Sequence, residues 1–281
     1  MRSDAEIALI ANRMRRDEIE MLASAGSGHP GGSLSATDIM ATLFFSGALG
    51  YDPADPENPA RDRFVLSKGH AAPMLYRNLA EKGFFPVEEM MTLRRMGGLA
   101  GHPSMHTPGV EMPGGPLGQG FPAAQGMAMA LKLNGSPAKV YAVLGDGELD
   151  EGVIWETAMS APKFKLDNLI AIVDYNKVQL DGTTDEVMPL GDLSAKWEAF
   201  GWTVLECDGH DLEALDFCIS VADGAVGAPT VIIANTVKGK GVSYMENAAE
   251  WHGKAPDEKL YETARKELYD AYMRAKEARE A

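Results

Sequence analysis

At 281 residues, the chain is long enough to bury a sizeable core as one large domain or two small ones. Its formal net charge of -15 argues against nucleic acid or an anionic membrane as a partner, because both would repel it. The sequence shows no run of membrane-spanning length and no signal-peptide pattern, so a cytoplasmic protein is expected. The two cysteines, Cys207 and Cys218, lack metal-ligand spacing and are expected to be reduced thiols.

The first part of the chain predicts two helices separated by a glycine-rich loop. Ser3 and Glu6 have the spacing of a capping box, so a helix is expected to begin there and to run to about Ala23. A loop unusually rich in glycine follows at 26–32, and an amphipathic stretch at 36–45 predicts the second helix.

The remainder alternates between strand-like and helix-like patterns. Short β-rich apolar runs predict strands at 64–66, 140–144, 169–173, 203–206 and 230–234. Helices are predicted to end at 82 and to cover 87–95, 123–133, 151–159, 192–200, 212–222 and about 257–281. This alternation predicts a single α/β domain over 1–281, with a doubly wound, mainly parallel sheet and helices on both faces. The long patternless segment at 97–120 is interpreted as a functional loop.

One carboxylate and one amide follow two successive strands. Asp146 lies between two glycines directly after the run at 140–144, and Asn176 follows the run at 169–173. In a parallel βαβ unit, the carboxyl ends of both strands lie at the same edge of the sheet, so the two side chains are expected side by side. Both oxygens are hard ligands that suit Mg²⁺ together with phosphate oxygens and water. The alternative is an ordinary Gly-Asp-Gly turn.

Four of the six histidines lie in loops that are expected to gather at the same edge. A lone histidine is more often a satisfied core or surface residue than a catalytic one, but four in glycine-rich loops favour a site. These four are His29, His70, His102 and His252. His106 and His210 are given no functional role.

Six motifs occur in a fixed order along the chain. They are Gly28-His29-Pro30-Gly31, Ser67-Lys68-Gly69-His70-Ala71, Gly101-His102-Pro103, Gly115-Pro116-Leu117-Gly118-Gln119-Gly120, Gly145-Asp146-Gly147-Glu148-Leu149-Asp150-Glu151-Gly152 and Trp251-His252-Gly253. Together with the Gly-Asp-Gly and Asn pair, they are similar to the successive signatures of transketolase, a thiamine diphosphate-dependent enzyme. The resemblance covers nearly the whole chain but only the first part of a full transketolase.

The resemblance implies a role for each matching residue. The metal would be Mg²⁺, for which Ca²⁺ or Mn²⁺ can substitute, and its ligands would be Asp146, Asn176 and the carbonyl oxygen of Val178. Residues of the cofactor site would be His70, Gly115, Pro116, Leu117, Gly147, Glu151, Asn176, Lys238 and His252. The residues given catalytic roles are His29, His70, His102 and His252, with His29 and His102 facing a ketose. Glu151 also matches a family glutamate at the interface between active sites.

The resemblance also implies a partner. In the family, the glutamate that activates the cofactor belongs to a second, pyrimidine-binding domain, for which this sequence shows no counterpart. The chain is therefore expected to be the N-terminal subunit of a split transketolase, with a C-terminal partner subunit in a heterotetramer and an interface on the order of 2,000 Å² or more. The loop at 112–117 and Phe121 are candidates for that interface.

The expected reaction is transfer of a two-carbon ketol unit from a ketose phosphate, such as xylulose 5-phosphate or a related sugar, to an aldose. Two alternatives stay open: a deoxyxylulose phosphate synthase or dihydroxyacetone synthase type of enzyme, and a non-catalytic subunit that binds the cofactor. One position departs from the family pattern. Some transketolases have a small polar residue three positions after the first histidine, where this chain has Gly32.

Overall fold

The computed structural model describes residues 2–280. Its centre is a five-stranded sheet in which every pair of neighbouring strands is parallel. The strands are β1 (Arg63–Leu66), β2 (Val140–Gly145), β3 (Leu169–Tyr175), β4 (Thr203–Asp208) and β5 (Thr230–Asn235). They are ordered β1-β2-β3-β5-β4 across the sheet. All five carboxyl ends therefore lie at one edge, which is where open α/β sheets bind ligands.

The helices lie on both faces of the sheet, as the sequence predicted. They are α1 (Asp4–Ala25), α2 (Pro30–Ser35), α3 (Thr37–Phe45), α4 (Ala72–Lys82), α5 (Gly120–Leu133), α6 (Gly152–Lys163), α7 (Thr184–Val187), α8 (Leu193–Ala199), α9 (Leu212–Asp223) and α10 (Glu258–Glu280). Within residues 2–280, four short 3-10 helices occur at Gly69–Ala71, Val87–Thr92, Gly147–Asp150 and Ala249–Trp251.

Alternation along the central strands produces two apolar cores. In β2, Tyr141 and Val143 pack with α1, α3, α4 and α9 on one face. Their neighbours Val140, Ala142 and Leu144 pack with α5, α6 and α8 on the other. Because both faces are covered, the strand reads as a continuous apolar run rather than an alternating one. A third, smaller cluster joins α10 to the segment 242–251.

Several element boundaries differ from those predicted. Six residues of the expected loop and its flank form α2, which begins at a proline that is favourable in the first helical turn. The predicted helix at 87–95 is a 3-10 helix over Val87–Thr92, and α7 was not predicted. The capping box at Ser3 is present. The C-terminal helix is present through Glu280, and residue 281 lies outside the described residues.

Two further expectations were tested by the structure. Cys207 and Cys218 are both free. Phe121 was wrongly assigned to an interface: its side chain is fully buried, with its ring centroid 6.0 Å from that of Trp197 and 5.9 Å from that of Trp202. As the second residue of α5, it points into the core rather than outward. Between residues 2 and 280, no helix is both long and apolar enough to cross a membrane.

Candidate functional site

A polar pocket opens at the carboxyl edge of the sheet. Its walls come from the ends of β1, β2 and β3 and from the loops near α2 and after β5. The lining residues are Gly32, Lys68, His70, Leu117, Gly145, Asp146, Gly147, Glu148, Asn176, Val178, Gln179, Leu180, Lys238 and His252. The sequence predicted that most of these loops would meet, and the structure brings them together.

Asp146 is the carboxylate of this pocket and is almost fully buried. One carboxylate oxygen accepts a hydrogen bond of 2.8 Å from the main-chain N–H of Gly147, and the other accepts from the N–H of Lys177. Burial, together with the nearby charge of Asp174, raises the pKa of Asp146 to about 6. Burial makes the ionised form of this carboxylate energetically unfavourable. A divalent cation bound to it would stabilise the negative charge in place of the missing water.

The segment after β3 contributes two further oxygens. The Asn176 side-chain oxygen accepts a hydrogen bond of 3.2 Å from the main-chain N–H of Val178. The carbonyl oxygen of Val178 in turn accepts one of 2.8 Å from Nζ of Lys238. This carbonyl therefore already faces a positive charge. Among residues 2–280, no group of three His, Cys, Asp or Glu side chains could hold a metal ion, so any metal here depends on the mixed set of Asp146, Asn176 and Val178.

Lys238 brings a buried ammonium into the pocket. Its Nζ lies 3.0 Å from Nδ1 of His252 and 3.4 Å from the carbonyl oxygen of Gln179. Burial and the repulsion from Lys68 lower the pKa of Lys238 to about 8. An anion bound beside this ammonium would favour its charged form. The pocket thus offers one side to a cation and another to a phosphate.

A buried ion pair supports the floor of the pocket, and sequence reasoning did not single it out. Lys68 donates to the Asp174 carboxylate and to the carbonyl oxygen of Gly32, the latter at 2.8 Å. Asp174 also accepts from Ser35 at 2.6 Å and from the hydroxyl of Thr236. The sequence did contain a signal for this ion pair. Lys68 and Asp174 lie at the carboxyl ends of β1 and β3, close in sequence to His70 and Asn176, which were predicted to be site residues.

A third buried carboxylate fixes the loop before α5. Glu148 accepts from the Ser67 hydroxyl, from the N–H of Gly118 at 2.8 Å and from the N–H of Gly145 at 3.1 Å. Burial raises the pKa of Glu148 in spite of these bonds. The contacts tie the residues next to Leu117 to the end of β2, so that Leu117 lines the pocket.

The four histidines selected from the sequence form a cluster at the pocket mouth. Ring centroids are 5.6 Å apart for His29 and His70, 5.8 Å for His29 and His102, 5.7 Å for His29 and His252, and 5.0 Å for His70 and His252. His29 Nδ1 is buried and has no partner among the described residues. The rings can therefore serve a common ligand.

These imidazoles are poised to be neutral. Burial, followed by repulsion from Arg94, lowers the pKa of His29 to about 4. Burial and the Lys238 charge lower the pKa of His252 to about 3, and the pKa values of His70 and His102 are also lowered, mainly by burial. A neutral imidazole can both donate and accept a hydrogen bond, so the cluster could bind a ligand through its hydroxyl groups.

Gly32 has a steric reason to be a glycine. A Cβ there would lie 2.8 Å from Nε2 of His70 and 3.6 Å from Nζ of Lys68. Lys68 is fully buried and held by its ion pair with Asp174, whereas His70 lines the pocket and could relieve the contact only by shifting its ring. The departure from the family pattern at this position therefore gives room to the His70 ring.

Other predicted site residues lie around the pocket rather than in its wall. Gly115 lies next to the His102 ring: a Cβ built on it would be 3.8 Å from Cγ of that histidine. Pro116 is exposed beside it. Glu151 is exposed at the start of α6 and does not line the pocket. His210 lies outside the pocket wall but contacts the main chain next to Lys238.

The geometry suits a group that carries both a bound cation and a phosphate. Mixed oxygen ligands at Asp146, Asn176 and Val178 fit Mg²⁺, and the buried Lys238 ammonium fits a phosphate oxygen. The buried Nδ1 of His29, which has no partner among the described residues, is available to a bound molecule. Fold and pocket together define an α/β domain with a candidate site for an anionic cofactor that binds together with a divalent cation.

Comparison with known proteins gives the family. Residues 7–272 match the family described as "Transketolase, thiamine diphosphate binding domain". The chain is 46% identical over 260 residues to a 6-deoxy-6-sulfo-D-fructose transketolase subunit from Clostridium sp. (strain MSTE9), with 92% of this chain and 94% of the relative covered. It is 42% identical over 263 residues to one subunit of the apulose-4-phosphate transketolase from Phocaeicola vulgatus, with 93% of each covered.

A solved structure shows the same fold. The transketolase of Campylobacter jejuni matches with a TM-score of 0.86 and 31% identity, covering 98% of this chain and 46% of that one. The chain therefore belongs to the transketolase family, as its N-terminal, thiamine diphosphate-binding part. It spans nearly the full length of the two subunit relatives but about half of the single-chain enzyme. The family and fold that the sequence motifs indicated are thus confirmed.

Proposed function

We propose that this chain is the N-terminal subunit of a split transketolase. Together with a C-terminal subunit, it would transfer a two-carbon ketol unit from a ketose phosphate to an aldose. The observation that carries the proposal is the cluster of four histidines, of which His70 and His252 line a pocket with one side suited to a cation and another to a phosphate. Relatives named as transketolase subunits and of nearly the same length support the division into two chains.

The pocket residues are assigned to two groups. Asp146, Asn176 and the carbonyl oxygen of Val178 would hold Mg²⁺, and Lys238 would bind the diphosphate with His252 and the N–H of Gly147. Thiamine diphosphate, when bound, supplies the carbon nucleophile and the electron sink of ketol transfer. The chain itself supplies binding, orientation and exclusion of water: its ligands are mostly buried and several are held by main-chain hydrogen bonds.

The histidines would bind and move protons on the sugar. Transfer of a ketol unit requires a proton to leave one hydroxyl oxygen and another to reach a carbonyl oxygen, and imidazole is suited to both near neutral pH. His29 and His102 do not line the pocket and would face the ketose, whereas His70 and His252 line it and His252 contacts Lys238. Because burial lowers the pKa values of His29 and His102, both imidazoles would be neutral at pH 7 and could accept a hydrogen bond from a sugar hydroxyl.

For the sugar substrate, we propose a chemical class rather than a particular compound. The relatives are named for a sulfonated ketose and for a branched-sugar phosphate. We propose a phosphorylated or similarly anionic ketose as the donor, with xylulose 5-phosphate as the reference compound. The net charge of -15 gives no general attraction for such an anion, so local groups must bind it.

The test is reconstitution with the partner. The chain should be co-purified with a C-terminal subunit of the transketolase type, then supplied with Mg²⁺ and thiamine diphosphate. A ketose phosphate should then transfer its ketol unit to an aldose, and either chain alone should be inactive. Activity with pyruvate instead of the ketose would indicate the synthase type of reaction. Cofactor binding without turnover of any donor would indicate a non-catalytic subunit.

A further inference from the structure

His210 lies outside the pocket, yet both nitrogens of its ring are engaged. Nε2 is 2.8 Å from the main-chain nitrogen of Val237, and Nδ1 is 2.7 Å from a carboxylate oxygen of Asp38. A main-chain N–H can only donate, so Nε2 must be the unprotonated nitrogen that accepts. Nδ1 then carries the hydrogen and donates it to Asp38. The ring is thus fixed in one tautomer and one orientation.

Asp38 is itself held as an ionised acceptor. It lies on α3, almost fully buried, and forms a two-pronged ion pair with the guanidinium of Arg15, of which one hydrogen bond measures 3.0 Å. Burial by itself would raise the pKa of Asp38, but Arg15 and His210 outweigh it and lower the pKa to about 2. Arg15, Asp38 and His210 therefore form a connected chain from α1 through α3 to the loop after β4.

The loop after β4 approaches the loop after β5 closely. Gly209 donates from its N–H to the carbonyl oxygen of Asn235 at 2.7 Å. A Cβ on Gly209 would lie only 2.5 Å from Cγ2 of Thr236, so a larger residue would push the two loops apart. Because β4 and β5 are neighbouring parallel strands, their following loops meet, and this contact places His210 against Val237.

Val237 immediately precedes Lys238. On the other side, the N–H of Gly239 donates to the carbonyl oxygen of Gly31, and the carbonyl oxygen of Lys238 accepts from Asn247, both at 2.9 Å. His210 thus provides one of several hydrogen bonds to the main chain at 237–239. Its contact is the one made by a side chain, and it acts on the residue directly before the pocket lysine.

We propose that His210 is a positioning residue for thiamine diphosphate binding, which holds the main chain at Val237 so that Lys238 points into the pocket. The inference rests on the proposed role of Lys238 as a diphosphate contact. His210 would not touch the cofactor or the substrate.

Two substitutions at His210 test its contact with Asp38 separately from its contact with Val237. His210→Asn keeps a donor at the δ position, for Asp38, but cannot reach Val237, whereas His210→Gln places an acceptor at the ε position. With the full chain and Mg²⁺, we expect the thiamine diphosphate affinity of His210→Asn to fall roughly 10–100-fold, and His210→Gln to recover most of it. His106→Asn, at an exposed histidine, is the matched control and should bind as the wild type does. Equal affinity of His210→Asn and wild type would overturn the proposal.

A double substitution tests whether His210 acts through Lys238. In a Lys238→Met background, His210→Asn should cause little further loss of affinity, because the group that it positions is gone. Fully additive losses would show a general structural role and would overturn the inference. If Lys238→Met alone leaves affinity unchanged, the proposed role of Lys238 fails, which is a different result.

Hydrogen exchange gives a readout that needs no cofactor. In the chain without thiamine diphosphate, the amide of Val237 should exchange faster in His210→Asn than in the wild type, and His210→Gln should restore its protection. Unchanged exchange in His210→Asn would overturn the proposal. If the wild-type chain fails to bind thiamine diphosphate, the proposed function is at fault, and the exchange comparison alone decides whether His210 holds Val237.

Discussion

Nζ of Lys238 donates a hydrogen bond of 2.8 Å to the main-chain carbonyl oxygen of Val178. The same oxygen is the proposed third metal ligand, so an ammonium and a divalent cation face one acceptor. The two would compete for it, because positive charges at such short range repel strongly in a buried pocket. Lys238 would therefore have to turn away from Val178, toward the diphosphate, when the metal binds.

The first prediction concerns Lys238→Met, which removes the charge but keeps much of the side-chain volume. Thiamine diphosphate affinity in the presence of Mg²⁺ should fall, by about 10–100-fold if Lys238 ranks with typical supporting groups of metal sites. Affinity for Mg²⁺ alone should rise, because a competing positive charge near Asp146 is lost. Isothermal titration of each ligand measures both. Changes of the same sign for the two ligands would contradict the competition.

The second prediction concerns the pH dependence of stability. The pKa of Asp146 is raised from its ordinary value of 3.8 to about 6 in the fold, so the folded chain binds this proton more tightly than the unfolded chain does. The resulting stabilisation is complete below pH 3.8 and is lost as the pH rises through 6. Relative to Asp146→Asn, which cannot ionise, the wild type should therefore lose up to about 3 kcal/mol between pH 4 and pH 7.

Urea unfolding at a series of pH values, without metal or thiamine diphosphate, measures this difference. Asp181→Asn is the control, since Asp181 is exposed and should follow the wild type at every pH. Parallel stability curves for wild type and Asp146→Asn would contradict the raised pKa. With Mg²⁺ and thiamine diphosphate added, only chains that keep Asp146 should gain stability.

The sequence predicted the sheet well because its strands are continuous apolar runs between punctuating residues. The run at 140–144 ends at Gly145 and Asp146, and this ending placed the proposed metal ligand correctly at the sheet edge. The motif histidines were likewise found because they lie in loops that follow strands or helix ends. Hydrophobic periodicity could not predict α2, because its residues 30–35 are all buried and the helix has no exposed polar face.

Contacts between segments that are distant along the chain could not be predicted from the sequence, for a different reason. The pairing of Lys68 with Asp174 and of His210 with Asp38 depends on which loops meet, and no local pattern encodes that. The misassignment of Phe121 has a similar cause. An apolar residue after a glycine-rich loop can face a partner or its own core, and only the direction of α5 decides between them.

The third prediction concerns Gly32→Ala. The added methyl group would lie 2.8 Å from Nε2 of His70 and would force that ring to move. We expect a loss of about 1–3 kcal/mol in the free energy of unfolding and weaker cofactor binding. Gly126→Ala is the matched control: Gly126 lies on α5 with nothing within 4 Å of a built Cβ, so alanine should stabilise by about 0.5–1 kcal/mol. Similar effects of both substitutions would contradict the steric account.

The fourth prediction concerns the partner surface. The loop at 112–117 runs beside the pocket, and its residue Pro113 is exposed, while Gly114 anchors the loop by donating a hydrogen bond of 2.9 Å to the carbonyl oxygen of Pro103. If this loop contacts the C-terminal subunit, Pro113→Glu should weaken the complex, because a buried, unpaired carboxylate is costly. Pro113 does not line the pocket, so thiamine diphosphate binding by the free chain should be kept.

Val226→Glu provides the control for that experiment. Val226 is 89% exposed and precedes β5, so it lies at the amino edge of the sheet, opposite the pocket. Co-purification of each variant with the C-terminal subunit, followed by sizing, measures the complex. Pro113→Glu should shift the population toward free subunits by a factor of about ten or more, which corresponds to about 1.4 kcal/mol, while Val226→Glu should assemble as the wild type does. Loss of assembly only in Val226→Glu would place the interface at the opposite edge, where the partner could not complete a site built at the carboxyl ends of the strands.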